Sequence, residues 1–383
     1  MKGRYTVLNT HTAEDLAQMQ SLPLEAKIIM TKQRIKVWYE AWKRFEICDD
    51  ATGKTRFVTI DTRNGEEPQL KETEWIKEAV DGQVYVSFSG GKDSTVLKHI
   101  VDSMYDDIPS LFVNTGLEYP EIQKFAMSQK NVVTVRPKMR FDEVIKTKGY
   151  PMISKAVSHN VYIARRHPEG RVAKNCFDPN KTGRFKMSQW SHLIDAPFVI
   201  GDKCCQVMKK DPSKNYAKET GRMPILGTMA HESSLRYANW IQKGCNSFEG
   251  SNPTSQPMSF WTEQDVLHYI KKYNVPYCSV YGDIVIDSNN ENSEQLSIID
   301  FVNDYDQNDK LKTTGCDRTG CIFCGFGCHL EKGKNRFQKL KETHPRQYEY
   351  CIGGGEYVDG VWQPSKEGLG LGMVLDYIGV RYE

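Results

Sequence analysis

The fold is most constrained by a strand pattern that runs into a glycine-rich loop and then into a helix pattern. Residues 84–88 form a short run of β-branched and aromatic side chains, which is typical of a buried strand. The sequence Ser-Gly-Gly-Lys-Asp-Ser follows at residues 89–94, and residues 95–101 have helical spacing. A strand, a glycine turn and a helix in this order predict one unit of an α/β fold.

Strand and helix patterns continue to alternate after this unit. Residues 111–113 and 132–135 predict strands, and residues 121–129 predict the helix between them. Residues 198–200 and 225–226 are candidates for further strands. This alternation predicts a mostly parallel sheet with helices on both faces. Functional sites in such sheets lie at the carboxyl ends of the strands.

The flanks of this α/β region have different patterns. Residues 22–45 have amphipathic helical spacing, residues 49–67 are polar and turn-rich, and residues 75–79 predict a short helix. Residues 287–312 are rich in Asn, Asp, Ser and Gln and predict a surface excursion. The predicted organisation is an N-terminal helical extension at residues 1–80, a nucleotide-binding α/β domain at residues 81–286 and a cysteine-rich region that binds a metal or cluster at residues 287–383.

Composition limits the cellular location and the binding partners that we expect. The net charge of +2 gives no support for a general nucleic-acid binder, although it leaves room for a local basic patch. No apolar run approaches the ~20 residues that span a bilayer, so no membrane partner is expected. The N-terminus lacks the apolar stretch of a secretory signal, so a cytoplasmic location is expected. In that reducing compartment, clustered cysteines indicate metal ligands or catalytic thiols.

The loop at residues 89–94, called the phosphate loop below, has the residue types that a pyrophosphate needs. Two consecutive glycines allow backbone N–H groups to converge, and the following helix adds its positive N-terminal end. Ser89, Ser94 and Thr95 offer hydroxyl groups, and Lys92 offers a positive charge. Asp93 can cap the helix or help to hold Mg²⁺. The loop matches neither the Walker A pattern nor the dinucleotide fingerprint.

Four of the eleven cysteines lie close together near the C-terminus. Cys316, Cys321, Cys324 and Cys328 have the spacing C-x4-C-x2-C-x3-C, with glycines on either side. This spacing supports an iron–sulfur cluster, for which a [4Fe–4S] cluster is our preferred prediction. A tetrahedral zinc site and free redox thiols are the alternatives that the same spacing leaves open.

The phosphate loop resembles the signature of the PP-loop ATP pyrophosphatase superfamily. Residues 112–121, 203–212, 227–236 and 261–266 resemble, in the same order, further elements of its phosphoadenosine phosphosulfate (PAPS) reductase branch. Together these elements cover about residues 85–269. The resemblance implies a Rossmann-like sheet of the adenine nucleotide alpha hydrolase type, with a cysteine-rich C-terminal region added.

Particular residues take expected roles from this resemblance. Lys92, Asp93, Glu232 and Arg236 are the implied catalytic residues, with Arg236 pairing with a phosphate or sulfate. Asn114 stands where the branch usually has an aspartate, and Met229 where it often has an arginine, which leaves the second substrate open. The implied nucleotide-binding positions are Ser87, Ser89, Gly90, Gly91, Lys92, Asp93, Ser94, Thr95, Asn114, Thr115, Gly116 and Gly227.

The resemblance also implies a ligand set for the cluster. Reductases of the branch that carry a cluster use tandem cysteines and a later C-x-x-C, whereas the element from Cys316 to Cys324 is similar to relatives that mobilise sulfur for DNA phosphorothioation. The branch's C-terminal Glu-Cys-Gly-hydrophobic-His motif has no match here. Cys328 and Cys351 are therefore the candidate catalytic thiols. The predicted metal ligands are Cys205, Cys316, Cys321 and Cys324, with Cys204 as the alternate.

The expected function is therefore enzymatic. The chain is expected to bind ATP or an adenylyl sulfate, with Mg²⁺, and to activate, reduce or transfer sulfur with a sulfur donor or a thiol reductant. One alternative is ATP-dependent sulfur transfer to tRNA or DNA, which the net charge does not support. The other is a non-catalytic nucleotide-sensing protein with a structural zinc.

Overall fold

The computed structural model describes residues 11–180, 186–287 and 309–383, so most of the polar segment at residues 287–312 lies outside the described residues. The helices are α1 (Ala13–Gln20), α2 (Leu24–Ala41), α3 (Lys92–Asp102), α4 (Pro120–Ser128), α5 (Phe141–Lys148), α6 (Lys155–Arg166), α7 (Asp211–Thr220), α8 (Ser234–Lys243), α9 (Glu263–Tyr273), α10 (Arg336–Thr343), α11 (Pro345–Ile352) and α12 (Leu371–Tyr377). The strands are β1 (Trp42–Asp49), β2 (Lys54–Asp61), β3 (Glu74–Val80), β4 (Val84–Phe88), β5 (Ser110–Val113), β6 (Val132–Val135), β7 (Met152–Ile153), β8 (Met223–Leu226), β9 (Asn246–Ser247), β10 (Thr254–Ser255), β11 (Ile284–Ile286), β12 (Leu311–Thr313), β13 (Gly325–Phe326), β14 (Gly355–Val358) and β15 (Val361–Pro364).

Contacts group the chain into two compact units. Unit 1 consists of Met1–Val113, Pro120–Val135 and Ser213–Arg318. Unit 2 consists of Asn114–Tyr119, Arg136–Pro212 and Thr319–Glu383. The division of the chain at residues 80 and 286 stays a prediction.

Unit 1 contains a six-stranded sheet in the order β6-β5-β4-β8-β10-β9. The neighbouring strands are parallel except for the β10–β9 pair, which is antiparallel. Helices flank this sheet, which confirms the predicted α/β, Rossmann-like fold. Of the two candidate strands, residues 225–226 lie in β8, whereas Phe198 and Ile200 form only isolated bridges.

The phosphate loop lies at the point of this sheet where the strand order reverses. The chain runs from β4 to β5 and β6 on one side and then continues to β8 on the other side of β4. A reversal of this kind opens a crevice at the carboxyl ends of the strands, where ligands of open α/β sheets bind. Residues 89–94 leave the carboxyl end of β4 and lead into α3.

The core of unit 1 explains why β4 and α3 form as predicted. Val84 and Val86 in β4 are completely buried, as expected for a parallel strand that is covered on both faces. In α3, Val96, Leu97 and Ile100 recur at helical spacing and are also completely buried. The apolar run of β4 and the apolar stripe of α3 are local signals, so both elements could be predicted from the sequence.

The N-terminal region differs from the sequence prediction. The helix predicted over residues 22–45 ends at Ala41, and Trp42 is already extended. The prediction was wrong for residues 42–45, because Ile35, Trp38, Trp42 and Phe45 keep helical spacing across the boundary, although the last two belong to β1. The turn-rich stretch contains β2, and the short helix predicted around residues 75–79 is β3. These strands form an antiparallel sheet in the order β2-β1-β3, so the α-helices of this extension within residues 11–80 are α1 and α2.

A buried ion pair ties α2 to the start of α9. Both carboxylate oxygens of Asp265 lie 2.8 Å from Lys27 Nζ, and the Lys27 side chain is 3 % exposed. Asp265 also accepts a hydrogen bond from the Thr262 backbone N–H, 2.6 Å away, which closes the capping box of α9. Asp265, in the element at residues 261–266, thus has a structural role.

Replacing Lys27 by Met is expected to lower the free energy of unfolding by about 3–5 kcal/mol, because the Asp265 charge stays buried without its partner. The double variant Lys27→Met/Asp265→Asn should lose much less, since asparagine is neutral and can still accept the capping hydrogen bond. Urea unfolding followed by tryptophan fluorescence measures both losses. Equal losses of unfolding free energy in the two variants would contradict the unpaired Asp265 charge as the cause.

In the part of the chain that the structure describes, no helix is long and apolar enough to cross a membrane.

Candidate functional site

Hydroxyl groups of the phosphate loop hold its backbone in shape. The Ser94 hydroxyl lies 3.2 Å from the Ser89 backbone nitrogen and 3.1 Å from the Ser89 hydroxyl. Ser94 and Thr95 each donate a hydroxyl hydrogen bond of 2.9 Å to the Gly91 carbonyl oxygen. Gly91 is the residue before α3, so these bonds fix the turn at the helix N-terminus, where anions are favoured.

Two glycines are required by close approaches of the chain. Gly90 has φ +74°, and a Cβ atom there would lie 3.0 Å from Ile122 Cγ2 and 3.2 Å from the Ile122 carbonyl oxygen. A Cβ atom on Gly227 would lie 3.1 Å from the Asp93 carbonyl oxygen. Gly227 therefore allows the segment after β8 to pack directly against the first turn of α3.

Lys92 is bound to protein oxygens in this structure. Its side chain is 5 % exposed, and Nζ lies 2.7 Å from Glu263 Oε1 and in close contact with the Asp317 carbonyl oxygen. Its backbone N–H donates to the Tyr281 hydroxyl, 3.3 Å away. Lys92 thus connects the phosphate loop to the segment that carries Asp317.

Asp93 has an orphaned oxygen atom. Its Oδ1 is buried and has no hydrogen-bond partner among the described residues. Burial raises the pKa of Asp93, while the positive charges of Lys92 and Arg318 oppose that rise. A carboxylate oxygen without a donor fits a hard cation such as Mg²⁺, which prefers oxygen ligands.

Glu232 holds two guanidinium groups, those of Arg236 and Arg318. Arg318 Nη2 lies 2.8 Å from Glu232 Oε1, and Arg236 Nη1 is in close contact with Oε2. Oε2 also accepts the Met229 backbone N–H at 2.8 Å. Burial and then the like charge of Arg318 lower the pKa of Arg236, while Asp93 opposes the shift. The two arginines, called the arginine pair below, therefore lie near each other and near Asp93.

The remaining predicted nucleotide-binding positions are Ser87, the fourth residue of β4, and the turn that follows β5. In that turn, which belongs to unit 2, Thr115 donates to Glu118 through its hydroxyl at 2.8 Å and its backbone N–H at 3.1 Å. The Asn114 side-chain oxygen accepts the Gly116 backbone N–H at 3.2 Å. Asparagine at this position thus shapes the turn.

Four cysteines of unit 2 form an interacting group, called the four-cysteine group below: Cys204, Cys205, Cys321 and Cys324. Burial, followed by the charges of the other three thiols, raises the pKa of Cys204. Burial raises the pKa of Cys321 to about 11, although Lys209 opposes it. For Lys209, desolvation is outweighed by Cys321 and Glu118, so the pKa of its ammonium group is raised.

A pair of short strands positions the C-x-x-C segment within unit 2. Gly325 and Phe326 pair in parallel with Met152 and Ile153. A Cβ atom on Gly325 would lie 2.6 Å from the Pro151 carbonyl oxygen, so only glycine fits this approach. Arg336 donates to the Cys324 carbonyl oxygen at 3.0 Å and thereby fixes the turn from the other side.

Cys316 belongs to unit 1, unlike the four-cysteine group. Its backbone N–H donates to the Val280 carbonyl oxygen at 3.0 Å, and its thiol interacts electrostatically with that of Cys278. The assignment of Cys316 as a metal ligand stays a prediction.

The two candidate catalytic thiols are both buried. Cys328 donates its thiol hydrogen to the Gly325 carbonyl oxygen at 3.1 Å, and burial raises its pKa to about 11. Cys351 is completely buried, which raises the pKa of its thiol well above the usual range. A thiol is a nucleophile only as thiolate, so these environments are typical of structural cysteines.

The four-cysteine group consists of thiol groups, which as thiolates are the soft ligands that iron–sulfur clusters use. Within residues 11–180, 186–287 and 309–383, however, no group of three or more His, Cys, Asp or Glu side chains already has metal-binding geometry. Binding would therefore require the thiol groups to converge further.

Arg318, Lys209 and Tyr281 were not among the site residues predicted from the sequence. Arg318 lies in the element from Cys316 to Cys324, and Lys209 follows the tandem cysteines by four residues. Both positions were visible as parts of motifs. Their partners, Glu232 and Cys321, are distant in sequence, so spacing alone gave no reason to choose them.

Comparison with known proteins gives several similarities. The chain is 36% identical over 282 residues to Uncharacterized protein MJ0973 of Methanocaldococcus jannaschii, covering 70% of this chain and 46% of that protein. It is 21% identical over 212 residues to the phosphoadenosine 5'-phosphosulfate reductase of Vibrio atlanticus, covering 54% of this chain and 65% of that protein. The chain thus spans about half to two thirds of the length of these relatives.

A solved structure is also similar. The PAPS reductase of Candida auris, in a phosphate complex, has a TM-score of 0.30 and 15% sequence identity, covering 51% of this chain and 75% of that chain.

The model of the phosphoadenosine phosphosulfate reductase domain matches residues 83–156 and 126–325. This match begins at the strand before the phosphate loop and extends through the arginine pair and the C-x-x-C segment. It covers more than half of the 383 residues. The chain belongs to the phosphoadenosine phosphosulfate reductase domain family.

Proposed function

We propose that the chain is an enzyme that binds ATP or an adenylyl sulfate at the phosphate loop and uses it to activate, reduce or transfer sulfur. The observation that carries this proposal is the phosphate loop itself, which lies at the strand-order reversal of the sheet, beside Asp93 and the arginine pair. Hydroxyl hydrogen bonds fix the backbone of the loop, and the N-terminus of α3 and the two guanidinium groups lie near Asp93. Such preorganised donors stabilise negative charge that develops on phosphate or sulfate oxygens.

Asp93 supports the presence of Mg²⁺ in this proposal. Its buried Oδ1 would help to hold the cation, which would offset negative charge on the phosphate groups. The arginine pair would stay available for the anionic end of the nucleotide.

Two reaction types follow from the two nucleotides. With ATP, an acceptor attacks the α-phosphorus, the bond to the bridging oxygen breaks, and pyrophosphate leaves with the electron pair. With an adenylyl sulfate, a thiolate attacks the sulfur atom of the sulfate, the S–O bond breaks, and the adenine nucleotide leaves. The thiol now carries the sulfonate group. A second thiol then attacks the sulfur atom of the first thiol, which forms a disulfide and releases sulfite. The reductant in the second case is an added dithiol, because Cys328 and Cys351 are both buried.

A [4Fe–4S] cluster is part of the proposal, and the four-cysteine group supports it. Cys204, Cys205, Cys321 and Cys324 would hold the cluster, which supplies electron transfer or a sulfur atom when bound. Lys209 would place a positive charge beside Cys321 and favour its thiolate. Cys316 remains the alternative fourth ligand of the sequence prediction.

Product analysis tests the proposed function. The protein, purified without oxygen, is incubated with ATP or with an adenylyl sulfate and a dithiol, and sulfite, pyrophosphate and AMP are measured. Sulfite from the adenylyl sulfate identifies a reductase, and pyrophosphate from ATP identifies an activating or transferring enzyme. Nucleotide binding without any product would contradict the enzyme and favour a sensor.

Replacing Asp93 by Asn is expected to stabilise the nucleotide-free protein at neutral pH while weakening Mg²⁺-dependent nucleotide binding. Removing an unpaired buried carboxylate is worth about 1–3 kcal/mol, or a rise in Tm of roughly 2–6 °C. Because the folded-state pKa of Asp93 is raised, the penalty is absent below the ordinary carboxyl pKa and appears as pH rises through the folded value.

Thermal unfolding at pH 7.5 and at about pH 4 measures this effect, and Asp102→Asn is the matched control. Asp102 lies on the same helix but has a partner, Lys98 Nζ, at 2.7 Å. The control should therefore not raise Tm. A Tm gain for Asp93→Asn that is the same at both pH values would contradict an unpaired charge.

A further inference from the structure

Arg318 is held beside the phosphate loop by its own backbone segment. The Asp317 carbonyl oxygen contacts Lys92 Nζ, and the Gly315 backbone N–H donates to the Tyr281 carbonyl oxygen at 2.8 Å. A Cβ atom on Gly315 would lie 2.5 Å from the Val280 carbonyl oxygen, so this segment packs at backbone distance. The position of Arg318 is therefore preorganised.

The arginine pair carries more positive charge than its carboxylate neutralises. Two guanidinium groups share Glu232, and the charge of Arg318 helps to lower the pKa of Arg236, a sign of repulsion between them. Arg236 is 41 % exposed and Arg318 59 % exposed, so a ligand can reach both. Each guanidinium has five N–H donors, and one carboxylate uses only part of this capacity.

The charges around the loop indicate which anion fits. Lys92 is paired with Glu263, and a divalent cation bound by Asp93 would leave one net positive charge. One positive charge of the arginine pair is balanced by Glu232, and the other is left for the ligand. A terminal phosphoryl group carries up to two negative charges and accepts bidentate hydrogen bonds from arginine, whereas a sulfate ester carries one negative charge.

We propose that Arg318 is a specificity-determining residue that, together with Arg236, binds the terminal phosphoryl group of a nucleoside triphosphate, so that the chain prefers ATP to adenylyl sulfate. This inference rests on the proposed function and selects one of its two nucleotides. Lysine at position 318 would keep the charge but lose the planar fork that a phosphoryl group engages.

Equilibrium binding of ATP, of adenylyl sulfate and of 3′-phosphoadenylyl sulfate, each with Mg²⁺, tests this proposal in wild type, Arg318→Gln and Arg318→Lys. Wild type should bind ATP at least about 10-fold more tightly than adenylyl sulfate. Arg318→Gln should weaken ATP binding about 10- to 100-fold, the range expected for charge-assisted hydrogen bonds, and adenylyl sulfate binding less than about 3-fold. Arg318→Lys should be intermediate for ATP.

Arg56→Gln is the matched control, because Arg56 is also half-exposed and bonded to a glutamate, Glu74, at 2.7 Å, and lies in β2. It should change neither affinity. Unchanged adenylyl sulfate binding in Arg318→Gln shows that the loop is intact. Equal weakening of both nucleotides, or a selective loss of 3′-phosphoadenylyl sulfate, would overturn the role of Arg318 but leave the proposed function standing. Failure of wild type to bind any of these nucleotides would overturn both.

Discussion

Gly90→Ala is expected to weaken the binding of ATP and of adenylyl sulfate by about 100-fold or more. Residue 90 has φ +74°, a conformation that costs an alanine roughly 1–2 kcal/mol. The added Cβ would also lie 3.0 Å from Ile122 Cγ2 and 3.2 Å from the Ile122 carbonyl oxygen. The loop must then move away from α4, which disturbs the hydrogen bonds that fix its backbone at the N-terminus of α3. A loss of about two charge-assisted hydrogen bonds corresponds to this factor.

Gly65→Ala separates the local strain from the effect on the site. Gly65 also has a positive φ, +69°, but a Cβ atom there meets nothing within 4 Å. It should cost a similar amount of stability without changing nucleotide affinity. The measurement is calorimetric titration of both variants with each nucleotide. An affinity of Gly90→Ala within about 3-fold of wild type would refute the role assigned to the phosphate loop.

Cys321→Ser is expected to abolish cluster binding altogether. Cys321 is in contact with Lys209 and interacts with Cys204 and Cys324, so its loss removes a thiolate from the centre of the group. Wild type purified without oxygen should contain about four irons and four sulfides and absorb broadly in the visible range, as iron–sulfur proteins do. The variant should be colourless. Iron, sulfide and zinc analysis with the visible spectrum provides the measurement.

Two further variants choose between the candidate ligand sets. If the four-cysteine group holds the cluster, Cys204→Ser should lose most of the iron and Cys316→Ser should retain it. The reverse result would favour the set that the sequence predicted. Cys48→Ser, in β1, is the control that should change nothing. A colourless wild type with about one zinc would refute the cluster and leave a structural metal.

The parts of the fold that the sequence predicted correctly depend on local signals. Strand β4, the phosphate loop and α3 have their determinants within residues 84–102, where an apolar run, two glycines and a helical stripe follow one another. The signals for strands β5 and β6 and for helix α4 are likewise contained in short segments of the sequence. Their mutual parallel pairing then follows from the alternation of strands and helices.

The N-terminal sheet could not be predicted in the same way. Trp42 and Phe45 extend the helical spacing of α2, and the signal for β1 is the pairing with β2 and β3, which involves residues up to 36 positions away. Tertiary pairing decides the conformation of such segments. Arg318 was missed for a similar reason, because Glu232 and Arg318 are 86 residues apart in sequence.

The candidate site residues divide in the same way, into residues with local signals and residues that only the fold brings together. The residues of the phosphate loop were identified because their chemistry is contiguous in sequence. The four-cysteine group brings together residues 204–205 and 321–324, which spacing alone could not join, and the tandem cysteines entered only through the family resemblance. The environments of Cys328 and Cys351 depend on burial, which no local motif reports.

Amide hydrogen exchange with and without nucleotide tests the central claim most directly, because it reports where the nucleotide binds. With saturating ATP or adenylyl sulfate and Mg²⁺, peptides covering residues 89–94 should show strongly slowed exchange, and those covering the arginine pair a smaller change. Peptides from β2 and β3 should be unaffected and serve as the internal control. Protection confined to other segments, or none at saturation, would contradict a phosphate loop that binds an adenine nucleotide.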